Sequence, residues 1–152
     1  MQGRITDFKT NAAAGYQAMY ALEAFLAGTP IPSGLQHLIK LRVSQINGCG
    51  FCVDLHARDA RADGESNERI DGVAVFREMP QFSDAERAAL ALAEAATRIA
   101  DSPHGVPDDV WDEARKHYDD NELAALTMAI AAINAWNRIN VTNRTVPGSY
   151  KP

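Results

Sequence analysis

The sequence predicts an all-α fold, and three observations carry that expectation. Alanine and leucine are abundant while runs of β-branched residues are few, a balance that favours helix over strand. Apolar residues recur at three- and four-residue spacing, and no sustained period-two alternation stands out. Start and stop signals, including two capping boxes, divide the chain into about six to eight helices with no sheet.

Composition narrows the function classes. The 152 residues carry 15 basic and 20 acidic side chains, a net charge of −5. Basic residues never cluster beyond two neighbours, so a nucleic-acid groove is not expected. A chain of this length fits one domain that buries roughly 70% of its unfolded surface. Residues 1–10 read as an arm and 140–152 as a tail. The opening run MQGRITDFKT lacks the apolar centre of a signal peptide. The most apolar stretch, residues 123–136, is interrupted by Thr127 and Asn134 and falls short of the ~20 residues that cross a bilayer. The expectation is a cytoplasmic protein with no membrane partner. In a reducing cytosol, two cysteines three apart point to a redox or metal pair rather than a staple.

Each element has its own signal. Residues 11–27 are alanine-rich, with Tyr16, Met19, Tyr20, Glu23 and Leu26 at helical spacing, and Gly28-Thr29-Pro30 stops them. Residues 31–34 read as a turn with Ser33 as N-cap. A second helix then runs over 35–46, with His37, Leu41 and Ser44 on one stripe, and Asn47-Gly48 ends it. Cys49 stands at the entrance of a third helix that reaches Ala62 and stops at Asp63-Gly64. Residues 66–79 read as two short pieces divided near Gly72 and ended by Pro80. The capping box Ser83-Asp84-Ala85-Glu86 opens a helix to about residue 100. Pro107-Asp108-Asp109 begins another, and a second capping box, Asp119 to Glu122, launches the last long helix over 123–139. The tail from Asn140, with Pro147-Gly148, reads as extended. His104 falls in a turn, His117 near a helix C-terminus, and Trp111 and Trp136 read as core or interface anchors.

Residues 41–64, LRVSQINGCGFCVDLHARDARADG, hold both cysteines. On a helix, positions 49, 52 and 56 are separated by three and then four residues and share a face. The first turn of a helix presents unpaired amides and a partial positive charge, which favour thiolate over thiol. A histidine one turn on can take the thiol proton or stabilise the anion. Phe51 should shield the sulfurs or pack beneath them, while Asp54 and Arg58 face solvent or a partner subunit. Redox chemistry is the leading reading. Metal binding is the minor one: there is no second C-x-x-C and no H-x₃₋₅-H pair, although His37 with His56 could complete a Cys₂His₂ set. A thioredoxin-like fold needs a βαβ context that the pattern lacks, and two structural cysteines remain an alternative.

The run Ser44, Gln45, Ile46, Asn47, Gly48, Cys49, Cys52, His56 resembles the S-Q-I-N-G-C-x-x-C-x-x-x-H core of AhpD-like alkylhydroperoxidases, a branch of the carboxymuconolactone decarboxylase superfamily. FSDAERAALALAEAATRIAD and INAWNRIN resemble it too, so the likeness covers about residues 33–140 and implies that these form the core of a single AhpD-like domain. The resemblance implies an AhpD-like helical bundle that assembles into trimers or hexamers. It also implies a thiol-dependent peroxidase or disulfide reductase in which Cys52 attacks peroxide, Cys49 resolves the sulfenic acid and His56 relays protons. No tightly bound cofactor is implied. The implied partners are a peroxide, a lipoyl or thioredoxin-like dithiol donor, and a peroxiredoxin. The family places a glutamate twelve residues before the first cysteine to begin the relay; here that position holds His37. Histidine also exchanges protons near neutral pH, so His37 joins Cys49, Cys52 and His56 as a candidate site residue. A decarboxylase of the superfamily's other branch and a non-catalytic redox-sensing oligomer are the alternatives.

Overall fold

The computed structural model describes residues 2–150, and these form eight α-helices and two 3₁₀ segments with no strand. Met1 of the expected arm and Lys151 and Pro152 of the expected tail lie outside the described residues. The helices are α1 (Phe8–Asn11), α2 (Ala13–Ala27), α3 (Ser33–Ile46), α4 (Gly50–Ala62), α5 (Asn67–Gly72), α6 (Asp84–Thr97), α7 (Asp108–Arg115) and α8 (Asp120–Asn143). The 3₁₀ segments are Val73–Glu78 and Ile99–Asp101. None of these helices is long and apolar enough to cross a membrane.

The bundle is built around α3, which packs on α4, α6 and α8. Leu38, Ile39, Leu41 and Val43 on this helix are almost wholly buried. They meet Leu90 and Ala93 of α6, Leu126, Ile130 and Ile133 of α8, and Phe76 and Phe82 from the connections. Each of the larger side chains contributes about 1.5–3 kcal/mol of transfer free energy. An α3 this thoroughly enclosed is a rigid platform for whatever its ends and its neighbour α4 carry.

Both capping boxes form as the sequence predicts: Ser83 with Glu86, and Asp119 with Glu122. Ser66 caps α5 in the same manner, its hydroxyl accepting from the Arg69 amide. Several boundaries differ from expectation. Ser33 is the first residue of α3 and not its cap; Pro32 takes the cap position and Ser33 makes no capping bond. Proline suits that boundary because its fixed φ and missing N–H cost nothing there. Helix α2 begins at Ala13, after the separate turn Phe8–Asn11. Of the pair Asn47-Gly48, only Gly48 adopts a left-handed backbone (φ 67°), which glycine takes without strain.

The largest difference lies at the C-terminus. Residues 140–143, expected in an extended tail, are the last turn of α8. Arg144 ends the helix in a left-handed conformation, and its amide and that of Thr145 satisfy the carbonyls of Val141 and Asn140. The extra turn is held from outside the helix. Asn143 accepts from the Ile5 amide at 2.8 Å through its side chain and from the Arg4 amide at 2.8 Å through its carbonyl. Local sequence carries no mark of a contact made by residues this distant.

Candidate active site

The turn between α3 and α4 places both sulfurs. The Cys49 amide donates to the Ser44 carbonyl at 2.9 Å, and the Cys49 sulfur caps α4 by accepting from the Cys52 amide at 3.3 Å. A cysteine thus stands where serine or aspartate would ordinarily cap. Cys49 and Cys52 are joined in a disulfide with their Cα atoms 5.3 Å apart. Both are nearly inaccessible, at 1% and 2% exposure, but they are not equivalent. Cys52 lines a cavity of about 760 Å³, whereas Cys49 lies behind it. The Asn140 side-chain amide points at the Cys52 sulfur from 3.7 Å.

His56 follows one turn after Cys52 on the same face and lines the same cavity. Its Nδ1 is buried without a hydrogen-bond partner. Burial, and then the charges of Lys40 and His37, push its pKa down to about 3, so the imidazole is neutral at neutral pH. His37 comes from α3, its ring 6.0 Å from that of His56 and tilted by 35°. Its Nε2 lies 3.3 Å from the Asp63 carboxylate at the end of α4. Burial lowers the His37 pKa, with Asp63 working against it. The structure therefore brings Cys49, Cys52, His56 and His37 to one locus between α3 and α4. Asp63, read in the sequence only as a stop signal, joins them through His37.

Several residues around the cavity carried no functional signal in the sequence. Lys40, one turn after His37, is buried and pairs with Glu23 of α2 at 2.5 Å. Glu23 also accepts from the Trp136 indole at 3.0 Å. This lysine lies on the His37 face of α3, and its spacing was the one available hint. Trp136, Tyr16 and Tyr20 form an edge-packed aromatic cluster on the cavity wall, so Trp136 serves the site rather than the core alone. Phe51 also lines the cavity, next to Cys52. Ser44 faces elsewhere: it donates to the Lys40 carbonyl and accepts from Asn137, which in turn accepts from Asn47. Its role is to lock α3 to α8 beneath the cysteine turn.

The far face of α4 is occupied by the chain itself. The Gly148 amide donates to Asp54 at 3.1 Å, and the Arg58 guanidinium lies 5.6 Å over the Tyr150 ring. Pro147 packs over Gly50, where a β-carbon would meet its ring at 3.4 Å, an ordinary contact. The tail thus seals the start of α4, and with Ile5, Thr6 and Phe8 of the arm it rims the cavity. His104 is exposed, and His117, just past α7, lies 3.5 Å from Glu113, so neither belongs to the site. Cys49 and Cys52 do not meet both histidines as a four-ligand metal set. Among the described residues, the grouping with metal-ligand spacing is His37, His56 and Asp59, one donor atom of each lying within 4.8 Å of the other two.

Comparison with known proteins places the chain in a family. Residues 11–95 match the model of the carboxymuconolactone decarboxylase family. The chain is 39% identical over 141 residues to the uncharacterized protein YdfG of Bacillus subtilis, covering 93% of this chain and 94% of that one. It is similar to the crystal structure of ATU0492 from Agrobacterium tumefaciens, a protein of unknown function proposed to be an antioxidant-defence protein AhpD. That likeness has a TM-score of 0.90 at 40% identity, over 98% of this chain and 100% of the other. A shorter segment of 44 residues is 46% identical to the alkyl hydroperoxide reductase AhpD of Bradyrhizobium diazoefficiens, 29% of this chain and 24% of that protein. With a family match over more than half its length and an all-helical bundle centred on a Cys-x-x-Cys pair, the chain belongs to the carboxymuconolactone decarboxylase family, among its AhpD-like members.

Proposed function

We propose that the protein is a thiol-dependent peroxidase or disulfide reductase that cycles between a Cys49–Cys52 dithiol and disulfide. The observation that carries this reading is the disulfide at the mouth of α4 with its Cys52 side on the cavity and His56 one turn away. In the reduced form, His56 relays the Cys52 proton onward without holding it, and the amides of the first turn of α4 stabilise the thiolate. The thiolate attacks one peroxide oxygen and the other leaves as water or alcohol, giving a Cys52 sulfenic acid. Cys49 then attacks the Cys52 sulfur, water leaves and the disulfide forms. Two electrons from an external dithiol, lipoyl or thioredoxin-like, restore the starting state.

His37 stands where the resemblance expects a carboxylate. The reading assigns that role to Asp63, acting through His37 on His56, and is supported by the 3.3 Å separation and the neighbouring rings. Cys52 is the attacking thiol because it, and not Cys49, lines the cavity. The reading includes a homo-oligomer, a trimer or hexamer, supported by the exposed Phe25 of α2 and Met128 and Val141 of α8. Sedimentation at micromolar concentration as a strict monomer would remove that part alone.

The decisive experiment measures peroxide consumption against a panel of dithiol donors. Wild type should turn over, Cys52→Ser should lose at least a hundredfold in rate, and Cys49→Ser should consume about one equivalent and stop at the sulfenic acid. Full activity in Cys52→Ser would sink the mechanism. Stoichiometric oxidation that no donor reverses would make the protein a redox sensor. Activity on a lactone acid that survives loss of both cysteines would favour the decarboxylase branch.

A further inference from the structure

Two nitrogen atoms beside Cys52 have nothing to bond. Nδ1 of His37 and Nδ1 of His56 are both buried without a hydrogen-bond partner. Unsatisfied buried nitrogens are uncommon, because each forfeits its hydration with no return. His37 already turns Nε2 towards Asp63, an arrangement that holds the ring proton at Nε2 and leaves the Nδ1 lone pair free. A carboxylate behind one imidazole nitrogen is also the usual outer support of a metal-binding histidine. Asp59 lies one turn beyond His56, and one donor atom from each of His37, His56 and Asp59 falls within 4.8 Å of the other two. All three line the same cavity as Cys52.

We propose that reduction of the disulfide completes a four-coordinate site for a divalent transition metal, formed by His37, His56, Asp59 and the Cys52 thiolate. Two imidazoles, a carboxylate and a thiolate are a borderline-soft set that suits zinc or cobalt(II). Bond lengths of about 2.0–2.3 Å place neighbouring donors roughly 3.3–3.7 Å apart, so His37, His56 and Asp59 must close by about 1 Å, and the Cys52 sulfur, once released from Cys49, must turn into the cavity to join them. Asp59 is only partly buried and can rotate to supply that movement. The nearby Lys40 ammonium is paired with Glu23, which offsets part of its charge.

Binding forms a sulfur–metal bond and releases the Cys52 thiol proton to solvent, with no change in oxidation state. In the disulfide form that sulfur is bonded to Cys49 and unavailable. Metal binding is thereby tied to the redox state of the pair. An occupied site would cap the attacking sulfur and His56 together, which makes the metal an inhibitor and a shield of the thiol.

The test is titration of cobalt(II) into the full chain, reduced with a trialkylphosphine and then desalted under anaerobic conditions, alongside the untreated disulfide form. The reduced protein should bind one equivalent at micromolar concentration, with visible bands of four-coordinate cobalt and a near-ultraviolet sulfur-to-cobalt charge-transfer band. The disulfide form should lack the charge-transfer band and bind at least tenfold more weakly. Cys52→Ser should lose that band, Asp59→Asn should weaken binding about tenfold, and zinc should displace the cobalt. The proposal is overturned by absence of saturable binding to reduced wild type at millimolar cobalt. It is equally overturned by equal binding to both redox forms, or by a charge-transfer band that persists in Cys52→Ser. The wild-type comparison requires no variant to fold, and circular dichroism checks those that are used. None of these readouts requires peroxide turnover, so the result stands apart from the fate of the peroxidase reading.

Discussion

Acid should destabilise this protein through His56. In the unfolded chain the imidazole titrates at its ordinary value of 6.5, while in the fold burial pushes it down to about 3. The unfolded state therefore binds the extra proton first as pH falls. The stability that comes from keeping His56 neutral is complete above pH 6.5 and is lost progressively between there and about 3. Lowering the pH from 7 to 5 spans about 1.5 units below the unfolded value, which costs about 2 kcal/mol at 1.36 kcal/mol per unit. A urea midpoint should fall by about 1 M for a chain with a slope near 2 kcal/mol/M. Carboxylates also titrate, so the informative quantity is the difference between wild type and His56→Asn, each as the disulfide form. Wild type should lose about 2 kcal/mol more than the variant over this interval. Parallel losses in the two proteins would refute the argument, because they would show that His56 is protonated as easily in the fold as outside it.

Other outcomes test the frame around the site. Leu38→Ala, at a fully buried position on α3, should cost about 2–5 kcal/mol in urea unfolding, since the surrounding helices cannot all collapse into the void. Asn137→Ala removes the partner of both Ser44 and Asn47 and should cost about 1–3 kcal/mol by the same assay. A loss no larger than that of an exposed alanine substitution would mean water replaces the amide. Asp54→Ala should speed hydrogen exchange at the Gly148 amide several-fold while global stability stays within about 0.5 kcal/mol. Unchanged exchange would mean the tail is held by Pro147 and Tyr150 alone.

Much of the site was legible because it is local. Cys49, Cys52 and His56 lie within two turns of one helix, and helical periodicity alone places them on one face. The capping boxes at Ser83 and Asp119 are equally local, since both partners of each bond lie three residues apart. His37 was reached through the resemblance; the stripe it shares with Leu41 and Ser44 does not continue the site, since Leu41 lies in the core and Ser44 bonds Asn137 of α8. Asn140 was misread as tail for the opposite reason. What holds the last turn of α8 is the amide of Ile5 and the carbonyl contact from Arg4, and neither can be inferred from residues 140–152.

The sequence by itself determined the all-helical class, the helix that carries the thiols and the order in which cysteine, cysteine and histidine follow along it. Only the tertiary structure decided which cysteine meets the cavity, that Asp63 stands behind His37, and that Lys40 is paired with Glu23. It also turned Asp54 and Arg58 from a free face into the anchorage of the chain's own tail. The division follows from range. A helix fixes relations within a few residues through its own periodicity, whereas burial, unpaired nitrogens and ion pairs between α2, α3 and α4 exist only once the bundle has closed.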